Sequence, residues 1–100
     1  MNRKQIANEF SKSLNYPEIE KIILFGSVAK GEDKKDSDID ILIISREKSR
    51  TKDKVMRKVS DVLLSKGVYI SVKVISPDEY MRLKNTHFIS QIRKEGVILG

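Results

Sequence analysis

Three features of the sequence predict an α/β (α+β) fold in two layers. Segments of helical period and short apolar runs follow one another in the order helix, strand, strand, helix, strand, helices. The apolar runs are bounded by Gly, Pro, Ser and Asp clusters, as strands are. The chain has 100 residues, 39% of them hydrophobic and 34% charged, enough for one core beneath a heavily charged surface. One domain over residues 1–100 is expected.

The first helix is read from Ile6, Phe10 and Leu14, spaced by four residues and followed by Asn15-Tyr16-Pro17. A strand over Ile19–Phe25 comes next. Ser27–Lys30 is expected as one short helical turn closed by Gly31, and Asp38–Ser45 as the second strand. The polar stretch REKSRTKDK then leads into a helix whose apolar face carries Val55, Val59, Val62 and Leu63, and Gly67 stops it. Gly67-Val68-Tyr69 opens a third strand through Ile75. Ser76-Pro77-Asp78-Glu79 combines an N-cap, a proline in the first turn and a capping-box glutamate, the clearest helix start in the chain. A last helix is expected over Thr86–Glu95, ended by Gly96, with Val97-Ile98-Leu99 docking on the body.

Composition narrows the chemistry. No stretch approaches the roughly 20 apolar residues of a membrane helix, and the first residues are polar where a signal peptide has its apolar segment, so a cytoplasmic protein is expected. Without cysteine there is neither a disulfide framework nor a thiolate metal site, and His87 alone builds no zinc site. Any metal must sit on oxygen. The net charge of +6 favours anionic partners, but the 14 lysines are dispersed, so direct nucleic-acid binding is not expected.

Asp38 and Asp40 stand out against this background. Alternate side chains of a strand share a face, which sets these carboxylates side by side about 7 Å apart at Cα, with Ile39, Ile41 and Ile43 turned to the core. Two fixed carboxylates repel, and a hard cation such as Mg²⁺ (or Mn²⁺) is the natural occupant between them. Upstream, Gly26 ends a strand and lets an anion approach the backbone, while Ser27 adds a hydroxyl at the start of a turn whose free amides attract phosphate.

At these residues the chain resembles the minimal nucleotidyltransferases of the DNA polymerase beta-like superfamily, including the antitoxin type. The match runs through Leu24, Phe25, Gly26 and Ser27, ten intervening residues that include Lys30 and Gly31, and Ser37-Asp38-Ile39-Asp40. The resemblance extends to the Ser-Pro-Asp-Glu helix start and the Ile-Arg-Lys-Glu-Gly-Val-Ile-Leu ending. It implies a polymerase beta-like nucleotidyltransferase fold, a small mixed β-sheet with helices packed on one face. It also implies nucleotidyl transfer: a nucleoside triphosphate, ATP by default, binds with Mg²⁺ or Mn²⁺, an acceptor hydroxyl attacks the α-phosphorus, and pyrophosphate leaves. Asp38 and Asp40 would then be the catalytic metal ligands, and Gly26, Ser27 and Lys30 the nucleotide-binding residues.

The family carries a third carboxylate on the following core strand, and aligned back from Ser76-Pro77 that position falls on Ser71. Lys73 shares the face of Ser71 and is open to either a phosphate contact or a solvated role. A chain this short is expected to take its acceptor from another protein. The resemblance points to a four-helix HEPN-type toxin whose tyrosine receives AMP, in a toxin-antitoxin pair; whether the chain also forms a homo-oligomer stays open. Two readings of function follow. One is a working transferase whose site is weakened or completed by its partner, the other a nucleotide-binding or protein-interaction module that keeps the fold.

Overall fold

The run Ile39–Ser45 has apolar residues on both of its faces, and the chain builds the sheet around it. The computed structural model describes residues 1–100. In chain order the elements are α1 (Arg3–Ser13), β1 (Ile19–Phe25), α2 (Gly26–Lys30), β2 (Ile39–Ser45), α3 (Lys48–Lys66), β3 (Ile70–Ile75), α4 (Pro77–Leu83), α5 (His87–Glu95) and β4 (Val97–Ile98). The sheet order is β3-β2-β1-β4. β1 pairs antiparallel with both β2 and β4, while β2 and β3 are parallel. A parallel pair needs a long crossover, which α3 supplies.

One face of the sheet carries Ile22, Leu24, Ile39, Ile41, Ile43, Ile70 and Val74, packed against Ile6 and Phe10 of α1, Val28 of α2, and Val55 and Val59 of α3. The other face carries Ile23 and Leu42, covered by Ile89 and Ile92 of α5 with Tyr80 of α4 alongside. The expectation of a sheet with helices on one face is therefore corrected: α4 and α5 form a third layer. The cause lies in β2, where Leu42 and Ile44 share the face of Asp40 and are buried as fully as their isoleucine neighbours. A strand apolar on both faces needs cover on both.

Local signals account for most element ends. Ser76 Oγ accepts from the Glu79 amide at 3.1 Å and the Glu79 carboxylate accepts from the Ser76 amide at 3.0 Å, the reciprocal box that starts α4. Asn2 and Gln5 form the same box for α1. Gly67 ends α3 in the left-handed conformation, at φ 68°. Two differences from the sequence reading have clear reasons. α3 begins at Lys48, inside the polar stretch, because Thr51 is buried and shares a 2.7 Å hydrogen bond with Ser45. Leu63 is 43% exposed, so the buried stripe of α3 is Thr51, Val55 and Val59. Val97 and Ile98 dock by joining the sheet as β4 on the edge of β1. No helix is long and apolar enough to cross a membrane.

Candidate active site

β1 ends at Phe25, and Gly26 turns the chain into α2 with φ 75°. That left-handed value favours glycine. A second constraint is contact: a Cβ on Gly26 would overlap Oδ2 of Asp40 and lie 3.2 Å from its Cγ. Gly26 thus keeps the start of α2 against the Asp40 carboxylate. Ser27 is half-buried next to it, and its carbonyl accepts from the Glu32 amide at 2.9 Å. Gly31, at φ 73°, closes α2 by donating to the Ser27 and Val28 carbonyls.

The loop between α2 and β2 is fastened from a distance. Lys34 and Ser37 tie it internally, the Lys34 amide donating to Ser37 Oγ at 2.7 Å and the Ser37 amide to the Lys34 carbonyl at 3.0 Å. Arg3 of α1 then donates through Nε to the Ser37 carbonyl at 2.7 Å and through Nη2 to the Lys35 carbonyl. The backbone immediately before Asp38 is therefore held by a planar fork on another element. Asp38 itself is exposed and precedes the strand, whose ladder starts with the Ile39 amide donating to the Tyr69 carbonyl at 3.0 Å.

Asp40 is half-buried and stands in a row across the sheet, opposite Phe25 on β1 and opposite Ser71 on β3. Burial raises the pKa of its carboxyl above the ordinary 3.8, and the charge of Asp38 raises it further. Ser71 occupies the neighbouring-strand position beside Asp40, and no three His, Cys, Asp or Glu side chains come together to hold a metal. The site consists of two carboxylates, hydroxyls and backbone. An all-oxygen set with one or two carboxylates suits Mg²⁺ or Mn²⁺, which completes its shell with water and substrate phosphates. The proton affinity of Asp40 marks a carboxylate that gains from an adjacent positive charge.

Lys30 does not stand free beside the turn. Its Nζ lies 3.0 Å from Glu95 Oε2 of α5, and that hydrogen bond, with the charge of Glu95, raises the lysine pKa. Lys73 lies on the same sheet face as Asp40 and Ser71, in no ion pair, its ammonium 5.8 Å from the centroid of the Phe88 ring. Between α2 and α5 opens a cleft of about 200 Å³ lined by Phe25, Gly26, Lys30, Phe88, Gln91 and Glu95. Sequence reasoning missed the α5 residues of this cleft and the role of Arg3. Phe88 and Gln91 lie far along the chain from Gly26, and only the sheet face that α5 covers brings them near. Arg3 sits 32 and 34 residues before the carbonyls it holds, with no periodic signal to join them.

With this geometry in view, the likeness to known proteins is informative. A family model described as "Nucleotidyltransferase domain" matches residues 3–99. The chain is 35% identical over 102 residues to "Putative protein adenylyltransferase MJ0604" of Methanocaldococcus jannaschii, covering 99% of both chains. It is 30% identical over 96 residues to MJ0141 of the same organism, which has the same description, covering 93% of this chain and 94% of that one. Among solved structures it superposes with TM-score 0.60 and 22% identity on a chain from the crystal structure of a toxin-antitoxin with AMP-PNP, over 100% of this chain and 73% of that one. That structural likeness speaks to the fold, which is polymerase beta-like. The match over residues 3–99 and the 35% identity to a full-length relative place the chain in the nucleotidyltransferase domain family, and it is a nucleotidyltransferase.

Proposed function

We propose that the chain transfers AMP from ATP to a hydroxyl of a partner protein. The observation that carries this reading is the contact between the Gly26 turn and the Asp40 carboxylate, which sets the backbone we assign to phosphate against one acid of the pair, with Asp38 close enough for its charge to act on Asp40. In the transfer, the acceptor hydroxyl gives up its proton to solvent as its oxygen bonds to the α-phosphorus, the bond from that phosphorus to the β-phosphate bridge oxygen breaks, and pyrophosphate leaves. Gly26 and Ser27 hold phosphate oxygens. Asp38 and Asp40 hold Mg²⁺ or Mn²⁺, which would supply charge neutralisation for the phosphates when bound. Arg3 keeps the backbone before Asp38 in place, and Lys30 exchanges Glu95 for a phosphate oxygen when nucleotide arrives. Such catalysis is largely positioning and electrostatic stabilisation.

The partner reading is supported by the relatives described as protein adenylyltransferases and by the toxin-antitoxin structures that share the fold. On it, the chain is the cytoplasmic antitoxin of a HEPN-type helical toxin, with a tyrosine of the toxin as acceptor. Ser71 favours a second reading, a catalytically weakened nucleotide-binding module, because the position beside Asp40 has a hydroxyl and no charge.

Calorimetry tests the nucleotide claim. ATP should bind in the presence of Mg²⁺, and Asp38→Asn with Asp40→Asn should abolish the metal dependence. An absence of heat and of thermal shift at millimolar Mg²⁺ and ATP would remove it. Isolation of the native complex tests the partner: a helical protein should co-elute with the chain.

A further inference from the structure

The two edges of the sheet are unequal. β4 is two residues long, whereas β3 runs for six, Ile70–Ile75, with no strand beyond it. The Ile39 amide donates to the Tyr69 carbonyl at 3.0 Å while Ile39 stands opposite Ile70, which fixes the parity of the ladder. Tyr69, Ser71, Lys73 and Ile75 turn their backbone groups to β2, and Ile70, Val72 and Val74 turn theirs outward. Such an edge is a template for another strand, and chains commonly protect it with a proline, a bulge or a lysine. β3 has neither proline nor register shift. Its lysine, Lys73, lies toward α5, the ammonium 5.8 Å from the centroid of Phe88, whose ring meets Phe25 of β1 edge to face with centroids 5.7 Å apart.

The helix above this edge is apolar on the matching side. One flank of the buried stripe of α3 faces α1 and β1: Lys54 pairs with Glu18, and Lys58, Asp61 and Val62 line a gap with Ile6 and Phe10. The opposite flank, which looks past β3, carries the exposed Met56 and Leu63, two turns apart. Charge decides which strand fits. Two copies of β3 meeting antiparallel about a two-fold axis pair at nearly full length when centred on Val72 or on Lys73. Centring on Lys73 sets the two lysines directly opposite, which is destabilising. Centring on Val72 sets Lys73 of each copy opposite Ser71 of the other, and the outward groups of Ile70 opposite those of Val74. Lys73 then extends the row Phe25, Asp40, Ser71 of the second copy, bringing a cation toward its acid pair, and Met56 comes against Leu63 across the axis.

We propose that the β3 edge binds a second copy of this chain, joining two sheets into one about a two-fold axis at Val72 and placing Lys73 of each copy beside Ser71 of the other. The interface is self-complementary, as a two-fold axis requires. Light scattering on the chain alone, without nucleotide, tests this independently of transfer, and the wild type should be a dimer. Val72→Pro removes an outward amide and no bond to β2, a place where an edge strand tolerates proline, and should give a monomer that still melts cooperatively. Lys73→Glu brings a carboxylate toward Asp40 of the second copy and should weaken the dimer about tenfold or more. Val72→Cys should form a disulfide between copies on oxidation, because residues facing each other in a hydrogen-bonded antiparallel pair have Cα atoms about 5.5 Å apart, inside the bonding range of roughly 4.4–6.8 Å. A wild type that is monomeric at every concentration, or that gains mass only with a different protein, overturns the proposal. So does a dimer that survives both Val72→Pro and Lys73→Glu. If Val72→Pro does not fold, Val72→Cys decides: a disulfide-linked dimer upholds the β3 interface, and its absence overturns it.

Discussion

Asp40 carries a charge that its surroundings disfavour. Its carboxyl is raised above the ordinary value by burial and by Asp38, so the folded chain holds that proton more tightly than the unfolded chain does. Its contribution to stability is therefore unfavourable once the pH has risen through the raised pKa, and vanishes below 3.8. Asp40→Asn should melt higher than the wild type at neutral pH in EDTA, and the difference should shrink as the pH falls toward 4. Added Mg²⁺ should raise the melting temperature of the wild type and leave the variant unmoved. Gly26 and Gly31 provide a matched pair, since both have left-handed φ but only Gly26 has Asp40 against it. An alanine at either position carries conformational strain of about 1–2 kcal/mol, equivalent to a drop of roughly 4–8 °C per kcal/mol in a domain of this size. Gly31→Ala should show that drop with ATP binding intact. Gly26→Ala should melt lower still and lose ATP binding in calorimetry, because Asp40 must move. Of this residue-scale geometry, the spacing of Gly26, Ser27, Asp38 and Asp40 was legible as a motif. Ser71 was legible only through the family resemblance, aligned back from Ser76-Pro77, and its pairing with Asp40 is a property of the folded sheet. The bracing of Phe88 and the reach of Arg3 were not legible, since each joins segments far apart in sequence.

The elements divide along similar lines. The limits of β1, the stop at Gly67 and the start of α4 are set by local chemistry and could be read directly. α3 begins earlier than its apolar residues indicate, because a buried threonine found partners in Ser45 and Glu18 that no helical period announces. β4 is two residues long, too short for a strand pattern, and exists because β1 offers it an edge. The α4 box makes a prediction at this scale. Ser76→Ala removes an N-cap and should cost about 1 kcal/mol in denaturant unfolding. Glu79 differs in kind, because its carboxylate also accepts from Lys48 Nζ at 3.0 Å, joining α4 to α3. Its pKa is lowered first by the Ser76 amide and then by Lys48. A lowered carboxylate stabilises above its unfolded value, here 4.5, and loses that contribution as the pH falls through the folded pKa. Glu79→Gln should therefore be less stable than the wild type at pH 7, the two curves converging in acid when melting is followed against pH.

At the scale of the molecule, the unforeseen feature is the third layer, although β2 announced it: Ile41-Leu42-Ile43-Ile44 has no polar alternation, and such a run belongs to a strand covered on both sides. The consequence is functional, since α5 both completes the core over Leu42 and walls the cleft beside Gly26. The sheet also sets what the site lacks, because Asp40 and Ser71 are register partners and Ser71 bears no charge. Ser71→Asp adds a carboxylate at that point, and a general base there is typically worth about 10²- to 10⁴-fold in rate. Transfer should rise in this variant, measured with Lys73→Ala beside it so that an ion pair between the new acid and Lys73 does not conceal the gain. The most direct test of the whole account follows the label from ATP. The chain, purified from its native host with any protein that co-elutes, is incubated with Mg²⁺ and ATP labelled at the α- or the γ-phosphate. Nucleotidyl transfer predicts α-label on protein, γ-label released as pyrophosphate, and neither event with Asp38→Asn and Asp40→Asn together. Label arriving on protein from the γ-phosphate, or α-label still transferred by the doubly substituted chain, would contradict it.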